Sequence, residues 1–355
     1  MMKKIVTIVG ARPQFIKAAA VSREILHQSE IEEIIVHTGQ HFDKNMSDVF
    51  FDEMKIPKPK YNLDIHNLSH GAMTGRMLEG IEAILQIEKP EAVMVYGDTN
   101  STLAGALAAK KIHIRLAHVE AGLRSFNMNM PEEINRILTD RISDILFCPT
   151  DKAIKNLEKE GFRDFPSKIV KSGDVMQDTA IFYSQFSKKP TFETSGDFVL
   201  ATIHRAENTD DLNRLRSILD ALKEIAKDYS VILPIHPRTK NIIEKNKLLA
   251  EGITVVDPVS YLEMVYLLKH SIMVMTDSGG MQKEAFFFHK PCITLRDETE
   301  WVELVDHGFN SIVGASYSVI LEAFRNMLQK KYDFNIDLYG KGNASHTIVE
   351  ILKNT

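Results

Sequence analysis

Twelve short apolar runs, separated by longer amphipathic segments, recur along almost the whole of this 355-residue chain, and no other feature restricts its fold as much. The first half carries Lys4–Gly10, Glu33–His37, Ala92–Tyr96, Arg115–Val119, Ile145–Cys148 and Lys168–Ser172. The second half carries Phe198–Thr202, Val231–Ile235, Ile253–Val256, Ile272–Thr276, Cys292–Leu295 and Ser311–Val313. These runs are rich in Val, Ile, Leu, Phe and Met and do not alternate with polar residues, as expected of parallel strands buried on both faces. Between them, segments such as Met73–Ile87 and Asp211–Lys227 repeat their apolar residues at helical spacing. Strand and helix in strict rotation define an α/β, doubly wound architecture. Twelve strands overfill one open sheet, and the chain is roughly twice a typical domain of ~100–200 residues. A split after Gly173 is therefore expected: one Rossmann-like domain over 1–173, a second over 174–340, and a C-terminal helix over 341–355 returning to the first. Loops at the carboxyl ends of both sheets would then line a cleft between two facing domains.

Charge and cysteine content remove several function classes. Lys and Arg number 43 against 48 Asp and Glu, a net −5, with no long block of one sign, so the footprint of a nucleic-acid binder is missing. The two cysteines, Cys148 and Cys292, each lie inside an apolar run, which argues against a disulfide framework or a Cys-rich metal site. The apolar start of the chain reaches only Gly10 before Arg12, and no span of ~18 apolar residues occurs, so neither a signal peptide nor a membrane helix is expected. The expectation is a cytoplasmic soluble protein.

The polar residues that stand out fall just after the expected strands, where this architecture collects its ligands. After the first comes Gly10-Ala11-Arg12-Pro13-Gln14-Phe15-Ile16-Lys17: a glycine turn into a helix, with backbone N–H groups and the cations Arg12 and Lys17 suited to phosphate, or simply a turn with two surface cations. It is neither G-x-G-x-x-G nor G-x-x-x-x-G-K-[ST], so no dinucleotide cofactor or P-loop is indicated. After the third comes Gly97-Asp98-Thr99-Asn100, where Asp98 can equally cap a helix. After the fourth comes Glu120, a poor cap beside small residues and hence a better candidate for chemistry. Glu132 and Glu133 follow Pro131 in the first turn of a helix, where the helix dipole alone favours acids. Strand-end and helix-start carboxylates in one half can supply a general base and a general acid. A divalent metal site competes with that reading, but ligand spacing of the D-x-D kind is absent, and no metal is expected.

In the second half, His204-Arg205 and His236-Pro237-Arg238 follow two neighbouring strands and read as a pyrophosphate clamp. Thr276-Asp277-Ser278-Gly279-Gly280 then makes a strand, a glycine turn and a helix start. Ser278 and the amides of Gly279 and Gly280 can hold phosphate oxygens, and Glu284, a turn into the helix, can accept from ribose hydroxyls. Phe286-Phe287-Phe288 reads as helix core rather than a stacking platform.

Taken in order, G-A-R-P-Q-F-I-K, G-D-T-N-S-T, H-V-E-A-G-L-R-S, P-E-E-I-N-R, H-R-A-E-N, H-P-R-T, T-D-S-G-G and L-R-D-E-T-E resemble the motifs of the non-hydrolysing UDP-N-acetylglucosamine 2-epimerases, from Lys4 to about Leu352. The resemblance implies a glycosyltransferase-B fold with UDP held mainly by the C-terminal domain. It implies that Asp98, Glu120 and Glu132 are the acid/base carboxylates, with His204 assisting at the diphosphate. Arg12 and Lys17 would line the same cleft, Ser278, Gly279, Gly280 and Glu284 would hold UDP, and His236 would face the nucleotide. A homodimer without cofactor is implied as well. Within the family the match is nearest to members acting on UDP-2,3-diacetamido-2,3-dideoxyglucuronate, through V-H-T-G-Q-H-F-D, L-R-S-F-N-M, G-D-V-M-Q-D, K-E-A-F-F-F and T-E-W-V-E-L. Enzymes acting on UDP-N-acetylglucosamine usually read T-E-R-P-E where Thr299-Glu300-Trp301-Val302-Glu303 stands here, and have a longer loop where Arg124 runs directly to Pro131. Many also carry Q-H-R-x-M-L-D-Q in an activator pocket; here Gln40-His41 is followed by Phe42 rather than arginine, which argues against activation by UDP-N-acetylglucosamine.

The C2 hydrogen of a pyranose has no adjacent carbonyl, so direct deprotonation is prohibitively slow. With no dinucleotide fingerprint, elimination of UDP as the C2 proton leaves, through 2-acetamidoglucal, and readdition with the proton on the other face fit better than transient oxidation. Three rivals share features of the sequence. A UDP-sugar glycosyltransferase would use an added acceptor without C2 exchange, a hydrolysing epimerase would release free UDP and sugar, and a nucleotide-sugar sensor would leave the carboxylates without a use.

Overall fold

The computed structural model describes residues 2–40, 57–194, 196–248 and 251–354, the side chain of Arg12 excepted. Residues 41–47 of the activator-pocket comparison thus lie outside the described residues. The chain divides into two compact units, Met1–Thr179 with Asp337–Thr355, and Ala180–Ile336.

The first unit holds β1 (Lys3–Val9), β2 (Ile31–His37), β3 (Tyr61–Asn62), β4 (Ala92–Tyr96), β5 (Arg115–Val119), β6 (Ile145–Cys148) and β7 (Lys168–Lys171) in the order β3-β2-β1-β4-β5-β6-β7. Every pairing is parallel. The unpatterned apolar runs are explained by burial on both faces: Val6, Ile8, Val93, Met94, Val95 and Tyr96 are all completely enclosed. Each such Val or Ile contributes about 1.5–3 kcal/mol relative to exposure. β3 is an addition to the expected strands. It has two residues, too few to form an apolar run, and pairs only through Tyr61 and Asn62 with the end of β2.

The second unit repeats the plan with β8 (Phe198–Thr202), β9 (Ser230–Pro234), β10 (Ile253–Val256), β11 (Met273–Thr276), β12 (Cys292–Thr294) and β13 (Asn310–Ile312), ordered β10-β9-β8-β11-β12-β13 and again all parallel. In each sheet the winding reverses once, between β1 and β4 and between β8 and β11. At such a point the loops leaving the two neighbouring strands run to opposite faces and open a crevice at their carboxyl ends.

The boundary between units falls inside the helix Val175–Ser184 rather than at Gly173, and the chain rejoins the first unit at Asp337 rather than at 341. The reason is local. Gly173, at φ +84°, packs against Tyr339 and Gly340, and Asp174 N–H donates to the Tyr339 carbonyl at 2.8 Å, so both stretches belong to one body. The helix Ala344–Lys353 buries Ala344, Ile348, Val349 and Leu352 and packs on the helix Arg12–Leu26. Asp178 caps it, accepting from Ala344 N–H at 3.1 Å, Ser345 N–H at 2.7 Å and Ser345 Oγ at 2.6 Å. Among the described residues no helix is long and apolar enough to cross a membrane.

Candidate active site

In the first unit the reversal point is a set of turns tied to one another by side chains. Gly10 follows β1, and a side chain there would collide with Thr38 Oγ1 and Ser101 Oγ, so only glycine fits. Gln14, on the helix that follows, accepts from the N–H groups of Gly10 (2.9 Å) and Ala11 (3.0 Å) and donates to the Tyr96 carbonyl (3.0 Å) and Thr102 Oγ1 (3.0 Å). It joins the turn after β1 to the turn after β4.

That second turn is Gly97-Asp98, and its polar groups are held individually. Gly97 N–H donates to the Val119 carbonyl at 3.0 Å, and the Gly97 carbonyl faces His118 Nε2 at 2.7 Å. The Asp98 carbonyl accepts from Asn135 Nδ2 at 2.9 Å, and Arg136 Nη2 donates to Asp98 Oδ2. Gly97 sits at φ +61°, a conformation that favours glycine, and a Cβ there would come within 3.1 Å of Lys17 Nζ and 3.2 Å of Glu120 Oε2. Lys17 and Glu120 form an ion pair directly over this glycine, each largely shielded from solvent. Glu120 follows β5 immediately and takes φ +74°, a strained setting for a residue with a side chain and one found where a group must be aimed.

The first unit therefore gathers Lys17, Asp98 and Glu120 around one glycine. Glu132 is exposed at the second position of the helix Pro131–Ile142 and enters none of these hydrogen bonds. Its neighbour Glu133 is fully buried, accepting from Ser125 N–H (2.9 Å), Ser125 Oγ (3.0 Å), Phe126 N–H (2.9 Å) and Arg136 Nη1 (3.0 Å). It fixes the preceding loop and the arginine that holds Asp98. Arg12 begins the helix after β1. Among the described residues no three His, Cys, Asp or Glu side chains converge as a metal-binding group.

In the second unit the reversal point places the residues after β8 beside those after β11. Asp277, wholly buried, accepts from the N–H groups of His204 (3.0 Å) and Arg205 (3.0 Å), from Asn208 Nδ2 (3.2 Å) and from His204 Nδ1 (2.8 Å). Burial pushes its carboxyl up, but the His204 ring and the two backbone donors outweigh burial and hold it below the usual carboxylate range. The His204 ring is half exposed. With Nδ1 committed to Asp277, Nε2 is the nitrogen available to a ligand.

Ser278 caps the helix Gly279–Phe287, accepting from Met281 N–H at 3.4 Å. No described atom lies within 4 Å of a Cβ built on Gly280, and at Gly279 the nearest are ordinary contacts, Glu300 Oε2 at 3.5 Å and Trp301 Nε1 at 3.7 Å. Nothing among the described residues requires glycine at either position. Close approach of a phosphate to the N–H groups at this helix start would require it, by the same physics that makes helix N-termini anion sites. Around this turn Arg296 is enclosed and ion-paired to Glu300 at 3.1 Å, and buried Lys283 Nζ lies 3.9 Å from the centre of the Trp301 ring. Glu284 is buried one position further along the helix. His236 is exposed as the cap of the helix Pro237–Lys245, its Nδ1 accepting from Arg238 N–H at 3.3 Å. Phe286 packs with Phe309 and Phe334, as expected of core.

The positioning residues Gln14, His118, Asn135, Arg136, Asp140 and Asp277 were not singled out from sequence. All but Asp140 stood within quoted motifs, and for Asp277 and His118 a strand-end position is the only signal either offered.

Two parallel, doubly wound sheets with polar clusters at their reversal points define an α/β protein of the glycosyltransferase-B class. The family described as UDP-N-acetylglucosamine 2-epimerase matches residues 23–353, and the chain belongs to that family. It is 60% identical to the UDP-2,3-diacetamido-2,3-dideoxy-D-glucuronate 2-epimerase of Pseudomonas aeruginosa, over 98% of this chain and 99% of that protein. It is 43% identical to the UDP-N-acetylglucosamine 2-epimerase of Methanocaldococcus jannaschii, over 98% of each. The crystal structure of the M. jannaschii enzyme in complex with UDP-GlcNAc and UDP superposes with a TM-score of 0.88, covering 100% of both chains at 42% identity. The Neisseria meningitidis UDP-GlcNAc 2-epimerase bound to UDP-GlcNAc superposes with a TM-score of 0.88, covering 99% of this chain and 100% of that one at 31% identity.

Proposed function

We propose that the protein inverts C2 of a UDP-2-acetamido sugar by eliminating and re-adding UDP. The substrate is UDP-2,3-diacetamido-2,3-dideoxy-D-glucuronate and the product its D-mannuronate epimer, a precursor of bacterial surface polysaccharide. The observation that carries the reaction is a pair of carboxylates at neighbouring strand ends: Asp98, next in sequence to Gly97 and held by Arg136, and Glu120, paired with Lys17 over Gly97. The likeness to the P. aeruginosa enzyme carries the choice of substrate.

The second unit binds the nucleotide. N–H groups at Ser278-Gly279-Gly280 and the exposed Nε2 of His204 meet the diphosphate, Glu284 the ribose, and His236 the nucleotide. Stabilising the developing charge on UDP makes it a better leaving group, and positive charge growing at C1 lowers the barrier to losing the C2 hydrogen. One carboxylate of the first unit takes that proton as the C1–O bond breaks, leaving the glycal. Another delivers a proton to the opposite face of C2 as UDP returns. Of the three candidate acids, Asp98 and Glu120 are each held by an ion pair, and the third, Glu132, is exposed in the first turn of its helix. Lys17 adds positive charge beside Glu120, and Arg12, which begins the helix carrying Lys17, is the second candidate cation. The enzyme is proposed to work as a cytoplasmic homodimer, the assembly checked by light scattering.

Incubation in D₂O tests the reading. Deuterium should enter C2 of UDP-2,3-diacetamidoglucuronate, and entry into UDP-N-acetylglucosamine instead would make the protein an epimerase of that sugar. Transfer to an added acceptor without C2 exchange would make it a glycosyltransferase. Glu120→Gln and Asp98→Asn should each lower turnover on the order of 10²–10⁴-fold, the usual worth of a general acid or base. Near-wild-type turnover in both removes the assignment.

A further inference from the structure

His118 lies on β5, two residues before Glu120, and is wholly buried. Nε2 is 2.7 Å from the Gly97 carbonyl oxygen, and Nδ1 is 2.7 Å from Asp140 Oδ1. A carbonyl oxygen only accepts, so Nε2 must carry a hydrogen. The second contact makes a further demand. Asp140 Oδ2 already accepts from Gly122 N–H (3.0 Å) and Arg124 Nη1 (2.7 Å), and Arg124 is forked onto Glu160 (2.7 and 2.8 Å). Burial pushes the Asp140 carboxyl up, yet His118 and Arg124 together hold it below the usual carboxylate range. Asp140 Oδ1 is therefore an acceptor as well, and a neutral imidazole can donate from only one nitrogen. The positive ring and Arg124 are balanced by Asp140 and Glu160. The other titratable neighbour of Asp140, the buried Cys148 thiol on β6, is pushed up by burial and stays neutral.

We propose that His118 is a positioning residue that donates from both ring nitrogens, bolting the Gly97 carbonyl to the Asp140–Arg124–Glu160 network and thereby setting Asp98 and Glu120. The Gly97 carbonyl belongs to the same peptide plane as the Asp98 N–H, so fixing its direction fixes where the Asp98 side chain leaves the backbone. Glycine has the widest backbone freedom of any residue, and here it also forms the floor beneath the Lys17–Glu120 pair. A turn that must be glycine and must also be rigid needs an external clamp, and His118 supplies it. The role rests on Asp98 and Glu120 being the acid and base.

Two measurements test it. In the wild-type protein, nitrogen-15 NMR of the histidine rings, assigned through bonds, should show the His118 ring with both nitrogens protonated at neutral pH. A bare nitrogen on that ring overturns the proposal without any variant having to fold. His118→Gln keeps one donor towards Gly97 but loses the charge, and in the folded variant kcat should fall about 10²-fold, the cost of misplacing a catalytic group by about an ångström, with KM nearly unchanged. Unchanged kcat in folded His118→Gln, while Asp98→Asn and Glu120→Gln remain impaired, also overturns it. If those two variants keep full activity and the ring is doubly protonated, the acid–base reading fails instead.

Discussion

At His204 a single enclosed carboxylate engages Nδ1 and leaves Nε2 for the contact proposed with the diphosphate. Asp277 engages Nδ1 and both neighbouring backbone donors, so Asp277→Asn places an amide donor where an acceptor is needed and favours the tautomer with its lone pair turned inward. The expected outcome is a fall in kcat of about 10²-fold, the low end of what a general acid or base contributes, with a smaller change in KM. Steady-state kinetics on the folded variant checks it. Asp98, Glu120, His204 and Ser278 stood out as candidates because each lies within two residues of the end of an apolar run, where this topology collects its ligands. Asp277, His118 and Arg136 act on partners 73, 21 and 38 residues away, and no local pattern encodes such a pairing. Glu132 and Glu133 show the same limit in reverse: their shared place at a helix start hides that one is open to solvent and the other ties down a loop.

Among the strands of the described residues, the twelve apolar runs announced themselves through composition, and only β3 did not. Side chains hold it in place. Glu88, at the end of the helix His70–Glu88, accepts from Tyr61 Oη (2.6 Å) and Lys60 Nζ (2.6 Å) beside β3 and from Lys4 Nζ (3.1 Å) on β1. The Lys60 and Tyr61 hydrogen bonds, against a smaller opposing effect of burial, lower its carboxyl from 4.5 to about 2. Because the folded value is the lower one, this contribution to stability is fully present above about pH 4.5 and fades as the pH falls towards 2. Glu88→Gln should therefore be less stable than the parent at pH 7, and the difference should close on acidification through that window. Urea unfolding at several pH values measures this. A constant difference would mean that Glu88 acts through packing alone.

At the scale of the whole molecule, the first unit is built from both ends of the described chain. Lys3 Nζ reaches the Lys353 carbonyl at 2.6 Å, and Asp178 caps the last helix, whose apolar face covers the helix carrying Lys17. The returning helix was expected from sequence, but the extent of its attachment rests on contacts between residues 166 to 350 positions apart. Ile348 is completely enclosed, so Ile348→Ala should cost about 2–5 kcal/mol in urea unfolding of the whole protein. The second unit offers its own readout. The chain has one tryptophan, and that residue, Trp301, stands over Lys283 with its indole N–H beside Gly279. The protein thus carries its single indole, excitable apart from the nine tyrosines, next to the proposed phosphate cradle. Titrating UDP against its emission should follow occupancy of that end of the substrate directly, with no label and no turnover.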